Sequence, residues 1–593
     1  MAPKSHPLTA NITYRSLWES LRTQKRDFGR ANLYGAAAAL LFLPIPVLIP
    51  LLIDEILLGH PGNLTRIFAL SGIDEAWGII AGTLIMVLLL RGAVFGLNNA
   101  KSFYSMRIVQ KSAYTLRHSL LHHLERMAFS EYETLKSGAV ASKTIRDVEN
   151  ISAFLGQAAT TALTSGLTLA GIMGVMFYIS WPLAVMVMVL NPLFLGFSRI
   201  AGRKAGELLR RQNEAYDVYQ SLLGEVLELF AQVRASNQER MFFGLLQSKA
   251  AGIRDAAQEY GYRSSVAFAA STQMTNAAVD VFRALGIAAV AYTDLSIGMM
   301  LAFLFYLSTA VAPVQQLLGL AITFQSTRPA LERLNQLLEM RHEPHFAHEA
   351  DPFDGVDTTS VELSDVSFAF DGAKPVLKGI SIKADAGRKI ALVGPSGSGK
   401  TTIARLLVGF YRPQSGTIAY GGVPIEKIGL PVVRENVALM LQESLFFNDT
   451  LCMNLTLGRA VEESAIFGAL HAAQLDGFVK GLRDGLETRI GKNGIRLSGG
   501  ERQRLAVARL ILSDPKIVIF DEATSALDNE TEVHLYETLA PFLERRTAII
   551  IAHRTTTIRQ ADYIYVLTDH GIVSEGTFEQ LNGLGLIGEG DDV

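Results

Sequence analysis

Apolar positions are patterned differently in the two halves of the chain. Up to about residue 312 they form long runs broken by few charges, and beyond about residue 360 they form short strand-like runs punctuated by Gly, Asp and Ser. Six runs read as membrane spans, about 33–53, 77–97, 158–179, 183–197, 266–292 and 295–312, against the ~30 Å of hydrocarbon to be crossed. Pro44, Pro46 and Pro50 interrupt the first, which predicts a kink there because each proline removes a donor and clashes with the preceding turn. Residues 101–157 and 198–264 keep a helical spacing with almost no proline, as in Leu116, Leu120 and Leu124. They read as span helices prolonged by ~25 residues, about 35–40 Å, outside the membrane. A turn near Ser137-Gly138 would join one such pair; a separate coiled coil is the alternative.

Charge orients the spans. The amino-terminal segment, 101–157 and 198–264 are rich in Lys and Arg, whereas the loops 58–76, 180–182 and 293–294 hold only Arg66. By the positive-inside rule both termini are expected in the cytoplasm. Within residues 1–30, Tyr14, Leu17, Trp18 and Leu21 predict an amphipathic helix at the membrane surface. That stretch is polar and basic without a cleavable apolar core, so the spans are expected to be internal and permanent. Of the 593 residues, 49% are hydrophobic and 19% charged, and mean hydropathy is +0.25, too apolar for a wholly soluble chain. A net charge of −3 gives no reason to expect nucleic acid as a partner. Cys452 is the single cysteine, which excludes an intrachain disulfide and a cysteine-rich metal site.

The polar, Pro/Gly-punctuated stretch 341–360 reads as a linker between a membrane domain, 31–340, and a second domain, 361–593. In the second domain the apolar run 389–393 precedes Gly394-Pro395-Ser396-Gly397-Ser398-Gly399-Lys400-Thr401-Thr402, and a helical pattern follows. Strand, glycine turn and helix are the context of a phosphate-binding loop, whose backbone N–H groups and helix N-terminus face phosphate oxygens. Lys400 would reach the terminal phosphates and Thr401 would ligate Mg²⁺. Asp521 and Glu522 end the apolar run 517–520, so Asp521 can hold Mg²⁺ and Glu522 can orient or deprotonate water.

Further motifs follow in order: Gln442 in Leu441-Gln442-Glu443, Leu497-Ser498-Gly499-Gly500-Glu501, Ser525-Ala526-Leu527-Asp528, and His553 after 548–551. With these the chain resembles the exporter-type (type IV) half-transporters of the ABC transporter family over nearly its whole length. Asp54 and the Gly138…Asp147 spacing add weaker matches in the membrane half. The resemblance implies an all-α six-span domain with helices extended into the cytosol, followed by an α/β P-loop ATPase domain. It implies that His553 contacts the γ-phosphate, that Gln442 senses Mg²⁺ or water, that Phe370 stacks on adenine, and that Asp528 belongs to the ATP site. It also implies that Ser498, Gly499 and Gly500 bind the phosphate held by a second subunit. Ser498…Glu501 equally fits a helix capping box, and the residues alone leave both uses open.

An ATP-hydrolysing translocase is expected, with ATP and Mg²⁺ as cofactors and a second half-transporter, a bilayer and a solute as partners. A homodimer is the first expectation and a heterodimer the alternative. The location would be a bacterial inner membrane, with the ATPase domain cytoplasmic. Export of a lipid, peptide or drug-like solute is the leading expectation; import on the same fold is the rival. Departures from the family pattern are Phe370 for tyrosine, Lys492 for an acid and Glu501 for glutamine. Arg91 in the second span, and Gln273, Asn276, Asp280 and Arg283 in the fifth, either line the substrate path or form a structural pair of Asp280 with Arg283 or Arg91.

Overall fold

The computed structural model describes residues 12–584 except 61, 71, 136–139, 142, 371–373, 442–444, 492–493, 496, 522–528, 553 and 569–570. Contacts divide the chain into Met1–His123 with Ser137–Glu339, and Leu124–Lys136 with Met340–Val593.

The first unit is helical. Five helical stretches among the described residues are long and apolar enough to cross a membrane: Lys25–Leu57, Ala76–Glu125, Lys143–Ile179, Glu239–Tyr292 and Ile297–Leu338. The helix Trp181–Glu228 carries the run 183–197. Glu239–Tyr292 is a single helix of 54 residues, about 80 Å at 1.5 Å per residue, well beyond the ~30 Å apolar layer. The first expected span is interrupted where its prolines fall. One helix ends at Phe42, another starts at Ile45, and a π-helical turn occupies Ile53–Leu57. The Val47 N–H, the helical donor for the Leu43 carbonyl, donates to the Pro44 carbonyl instead at 3.2 Å. The buried Tyr306 hydroxyl donates to the Leu43 carbonyl, which removes the cost of an orphaned buried carbonyl.

Two acids in that π turn cap other helices. The buried Asp54 carboxylate accepts from the Gly298 N–H at 2.8 Å and from the Ser296 hydroxyl, at the start of Ile297–Leu338. Glu55 accepts from the Leu64 and Thr65 N–H groups at 3.0 and 2.6 Å, at the start of Asn63–Ala69. Each supplies acceptors and negative charge to a helix N-terminus. The amphipathic helix Tyr14–Thr23 forms as expected from its spacing, with Thr13 and Ser16 as a capping box. It buries Leu17 and Leu21 against the helical bundle and leaves Trp18 half-exposed.

The second unit is built on a six-stranded sheet ordered Gly571–Gly576, Tyr563–Thr568, Lys389–Val393, Thr547–Ile551, Ile517–Asp521, Val437–Met440. All but the first pair are parallel. Strand alternation divides its residues between two cores. Ala391, Val393, Val518, Phe520, Ala548 and Ile550 face one, while Ile390, Leu392, Ile517, Ile519, Ile549 and Ile551 face the other. A parallel strand covered on both faces must be apolar at every position, which explains why these runs do not alternate with polar residues in the sequence. A four-stranded antiparallel sheet, 377–384, 361–368, 415–420 and 423–424, completes this unit with its surrounding helices.

Candidate functional site

Register decides where the chemistry gathers. Ile551 lies opposite both Leu392 and Asp521, so three parallel strands end together. Residues 394–399 form the loop that leaves the strand Lys389–Val393, before the helix Lys400–Leu407. Ligands of open parallel sheets collect at such carboxyl ends. Glu522 and His553 lie outside the described residues, as do Gln442, Asp528 and Lys492.

The phosphate loop needs its glycines. Gly397 and Gly399 have φ of 90° and 94°, a region that L side chains disfavour, and a Cβ on Gly394 would lie 2.2 Å from the Leu567 carbonyl oxygen. Lys400, the first residue of the helix Lys400–Leu407, is buried, and its ammonium donates to the Gly394 and Pro395 carbonyls at 2.6 and 2.9 Å. That folds it back across the loop. Thr401 Oγ1 donates to Asp521 Oδ1 at 3.1 Å, and Asp521 is buried at its strand end. The Ser398 hydroxyl is buried with no hydrogen-bond partner among the described residues. An orphaned hydroxyl, a folded-back ammonium and a hydroxyl–carboxylate pair are the donor set that a triphosphate and a hard divalent cation require. The residues present fit both.

Phe370 is partly exposed, with its ring edge-on to Phe368 and Tyr411 at 5.1 and 5.4 Å. Phe368 belongs to the core, so the strand end supplies one structural and one accessible ring. Ser498 caps the helix Gly499–Ser513: its Oγ accepts the Glu501 N–H at 3.2 Å, and the Glu501 carboxylate accepts from the Ser498 N–H at 2.7 Å. The capping box is therefore formed, leaving the backbone N–H groups of Gly499 and Gly500 at the helix N-terminus.

Sequence reasoning did not single out the segment Leu124–Lys136, which packs with the ATPase residues. Phe129 stacks on Phe410 at 4.2 Å. The Glu133 carboxylate accepts from Arg405 Nη1 at 3.0 Å and from the Tyr411 hydroxyl, and the Tyr411 phenol is pushed up to about 12 by burial and by that carboxylate. Arg341 Nε donates to Glu131 at 2.6 Å. The available signal was the cluster Phe129-Ser130-Glu131-Tyr132-Glu133, where aromatic and acidic residues replace the helical spacing.

In the helical unit, Asp280 and Arg283 pair at 3.0 Å one turn apart, both largely exposed. Gln273, Asn276 and Arg91 are exposed as well, and no ion pair joins Arg91 to Asp280 among the described residues.

A buried parallel sheet with a phosphate loop, chained to helices of membrane-spanning length, defines a membrane-embedded ATP-binding protein. Residues 377–525 match the family described as ABC transporter, and residues 61–314 match the ABC transporter transmembrane region. The ATP-dependent lipid A-core flippase of Alcanivorax borkumensis is 31% identical over 504 residues, 82% of this chain and 84% of that protein. That of Legionella pneumophila (strain Paris) is 32% identical over 506 residues, 84% of each chain. A bacterial Atm1-family ABC exporter, solved with ATP bound, superposes with a TM-score of 0.77 over 97% of this chain and 98% of its own, at 24% identity, and shows the shared fold. The chain belongs to the ABC transporters. It is an integral membrane protein with one membrane unit and one ATPase unit, a half-transporter that dimerises and couples ATP hydrolysis to transport.

Proposed function

We propose that two identical copies clamp two ATP molecules and thereby export a lipid or lipid-like amphiphile. The observation that carries the ATP half is the phosphate loop with Lys400 folded across it and Thr401 paired to Asp521. Residues 394–402 would hold the phosphates and Phe370 the adenine. Ser498, Gly499 and Gly500 would reach the nucleotide of the second copy, because a helix N-terminus presents donors to an anion. Thr401, Gln442 and Asp521 would hold Mg²⁺, which neutralises phosphate charge as the terminal bond breaks. Glu522 would position the attacking water, and His553 would contact the γ-phosphate.

The membrane is taken to be a bacterial inner membrane with the ATPase unit and both termini in the cytoplasm, which the Lys- and Arg-rich segments 101–157 and 198–264 support. We place six spans at the runs named above. Arg91, Gln273, Asn276, Asp280 and Arg283 would face a wet path, since ionisable groups at membrane depth avoid lipid. The flippase relatives support a lipid cargo, and the fold shared with an ABC exporter supports export over import. The test is ATP-dependent flipping of labelled lipids by the full chain in proteoliposomes of known orientation, with Glu522→Gln as control. Flipping abolished by that substitution is expected; equal lipid movement in both proteins would refute the proposal.

A further inference from the structure

A cavity of about 280 Å³ lies inside the helical unit, among the helices Lys25–Phe42, Ala76–Glu125, Val148–Ile179 and Ile297–Leu338. Its lining is mixed: Phe42 and Val94 contribute apolar surface, and Asn98, Lys101, Thr164 and Gln316 contribute polar groups. Lys101 is the one ionisable residue among the described residues that line it, and it makes no ion pair with any described residue.

The local hydrogen bonds aim that cation at the cavity. The half-buried Lys101 ammonium donates to Thr164 Oγ1 at 2.8 Å, and the Thr164 hydroxyl donates onward to the Thr160 carbonyl at 2.8 Å. An ammonium has three donors, so two remain. Gln316 accepts from the Ser165 hydroxyl at 2.7 Å through Oε1, which leaves its amide N–H groups as donors. Gly35 makes the approach possible: a Cβ there would lie 2.1 Å from the Thr164 methyl and 3.3 Å from Lys101 Cδ. A cation with spare donors, an amide and no acid in a half-buried cavity lacks only an anion, because charge away from bulk water needs a partner.

We infer that this cavity is a binding site for the anionic headgroup of an amphiphile, with Lys101 and Gln316 on the anion and Phe42 and Val94 against the first part of its apolar chain. The inference rests on the lipid-export reading and names the chemistry of its cargo. Size agrees: ligand pockets start at about 300 Å³, so the site holds a headgroup, not a whole lipid. Position agrees too. Lys101 lies four residues past the expected end of the second span, about 6 Å along the helix axis, at headgroup level where lysines are favoured.

The test uses the nucleotide-free full chain in neutral detergent, titrated with phosphatidylglycerol and with phosphatidylcholine of the same acyl chains, and bound lipid counted by native mass spectrometry. Phosphatidylglycerol is expected to bind at least tenfold more tightly than phosphatidylcholine, Lys101→Met to abolish that preference, and Lys101→Arg and the parent to share it. Gln316→Leu should weaken phosphatidylglycerol alone. Inorganic phosphate separates the sources: displacement of the lipid at equal concentration assigns the site to free phosphate, and resistance assigns it to a lipid headgroup. Equal binding of both lipids by the parent, or an undiminished preference in Lys101→Met, would overturn the site. Because no ATP is present, a failed flipping assay with a Lys101-dependent preference would sink the transport reading alone.

Discussion

Glu501 holds Ser498 at two points: its carboxylate accepts the Ser498 N–H at 2.7 Å and the Ser498 hydroxyl at 2.8 Å. A full negative charge thus stands at the helix N-terminus assigned to the partner's phosphate. Glu501→Gln keeps an acceptor for the cap and removes the charge. The KM for ATP should fall by about 2–5-fold, corresponding to the ~0.3–1 kcal/mol of a charge at a helix end. Steady-state hydrolysis at low and high ionic strength is the measurement, since salt should shrink the difference. An unchanged KM at low salt would count against the geometry.

The Glu133 contacts make a second expectation. Arg405 extends from the phosphate-loop helix to a carboxylate that also takes the Tyr411 hydroxyl. Hydrogen bonds to charged groups contribute about 1.5–3 kcal/mol. Glu133→Ala should therefore speed amide exchange in 127–135 by roughly tenfold or more. Exchange in the buried strand 517–521 should stay unchanged. A uniform increase in both would mean general destabilisation instead.

How far the sequence could be read follows from which interactions are local. The phosphate loop was legible because its strand, its glycines and its helix are contiguous, and the φ values of Gly397 and Gly399 show why glycine stands there. The helix break near Pro44 was legible for the same reason. What brings Tyr306 to the Leu43 carbonyl, Lys101 to Thr164 or Glu133 to Tyr411 is tertiary packing across 263, 63 and 278 positions, and periodicity carries no such information. Asp54 was noticed as a residue following a span; that it caps the last membrane helix came only from the fold. Ser498 admitted two readings because capping and phosphate binding use the same helix end.

Acid stability is the third expectation. Lys111 bonds to the buried Asp27 carboxylate and holds it below its ordinary value, with Arg107 and Arg30 adding to the effect against the opposing cost of burial. A depressed carboxyl stabilises the fold fully above its unfolded value, about 3.9, and loses that contribution as pH falls through the folded value. Asp27→Asn should lower the melting temperature of the detergent-solubilised chain by an amount constant between about pH 5 and 8. The gap to the parent should close below about pH 4. A gap that widens on acidification would show the sign to be wrong.

The 3.1 Å contact between Thr401 Oγ1 and Asp521 Oδ1 carries the last expectation. If these two groups and Gln442 share Mg²⁺, the metal must replace that hydrogen bond, and turnover must stop when it is chelated and return when it is restored. Asp521→Asn keeps the side-chain shape and removes the charge that a hard cation needs. It should reduce turnover by about 10²-fold or more, the scale of losing one electrostatic contact to the reacting group, while metal-free nucleotide binding through 394–400 survives. Glu522→Gln should differ in kind. It leaves the metal site intact, lowers turnover by about 10²–10⁴-fold through loss of the water-positioning base, and lets an ATP-bound dimer accumulate. Retention of labelled nucleotide after gel filtration with ATP and Mg²⁺ separates the two: Glu522→Gln should keep its nucleotide, and Asp521→Asn should retain less. Equal retention by both would remove Asp521 from the metal site.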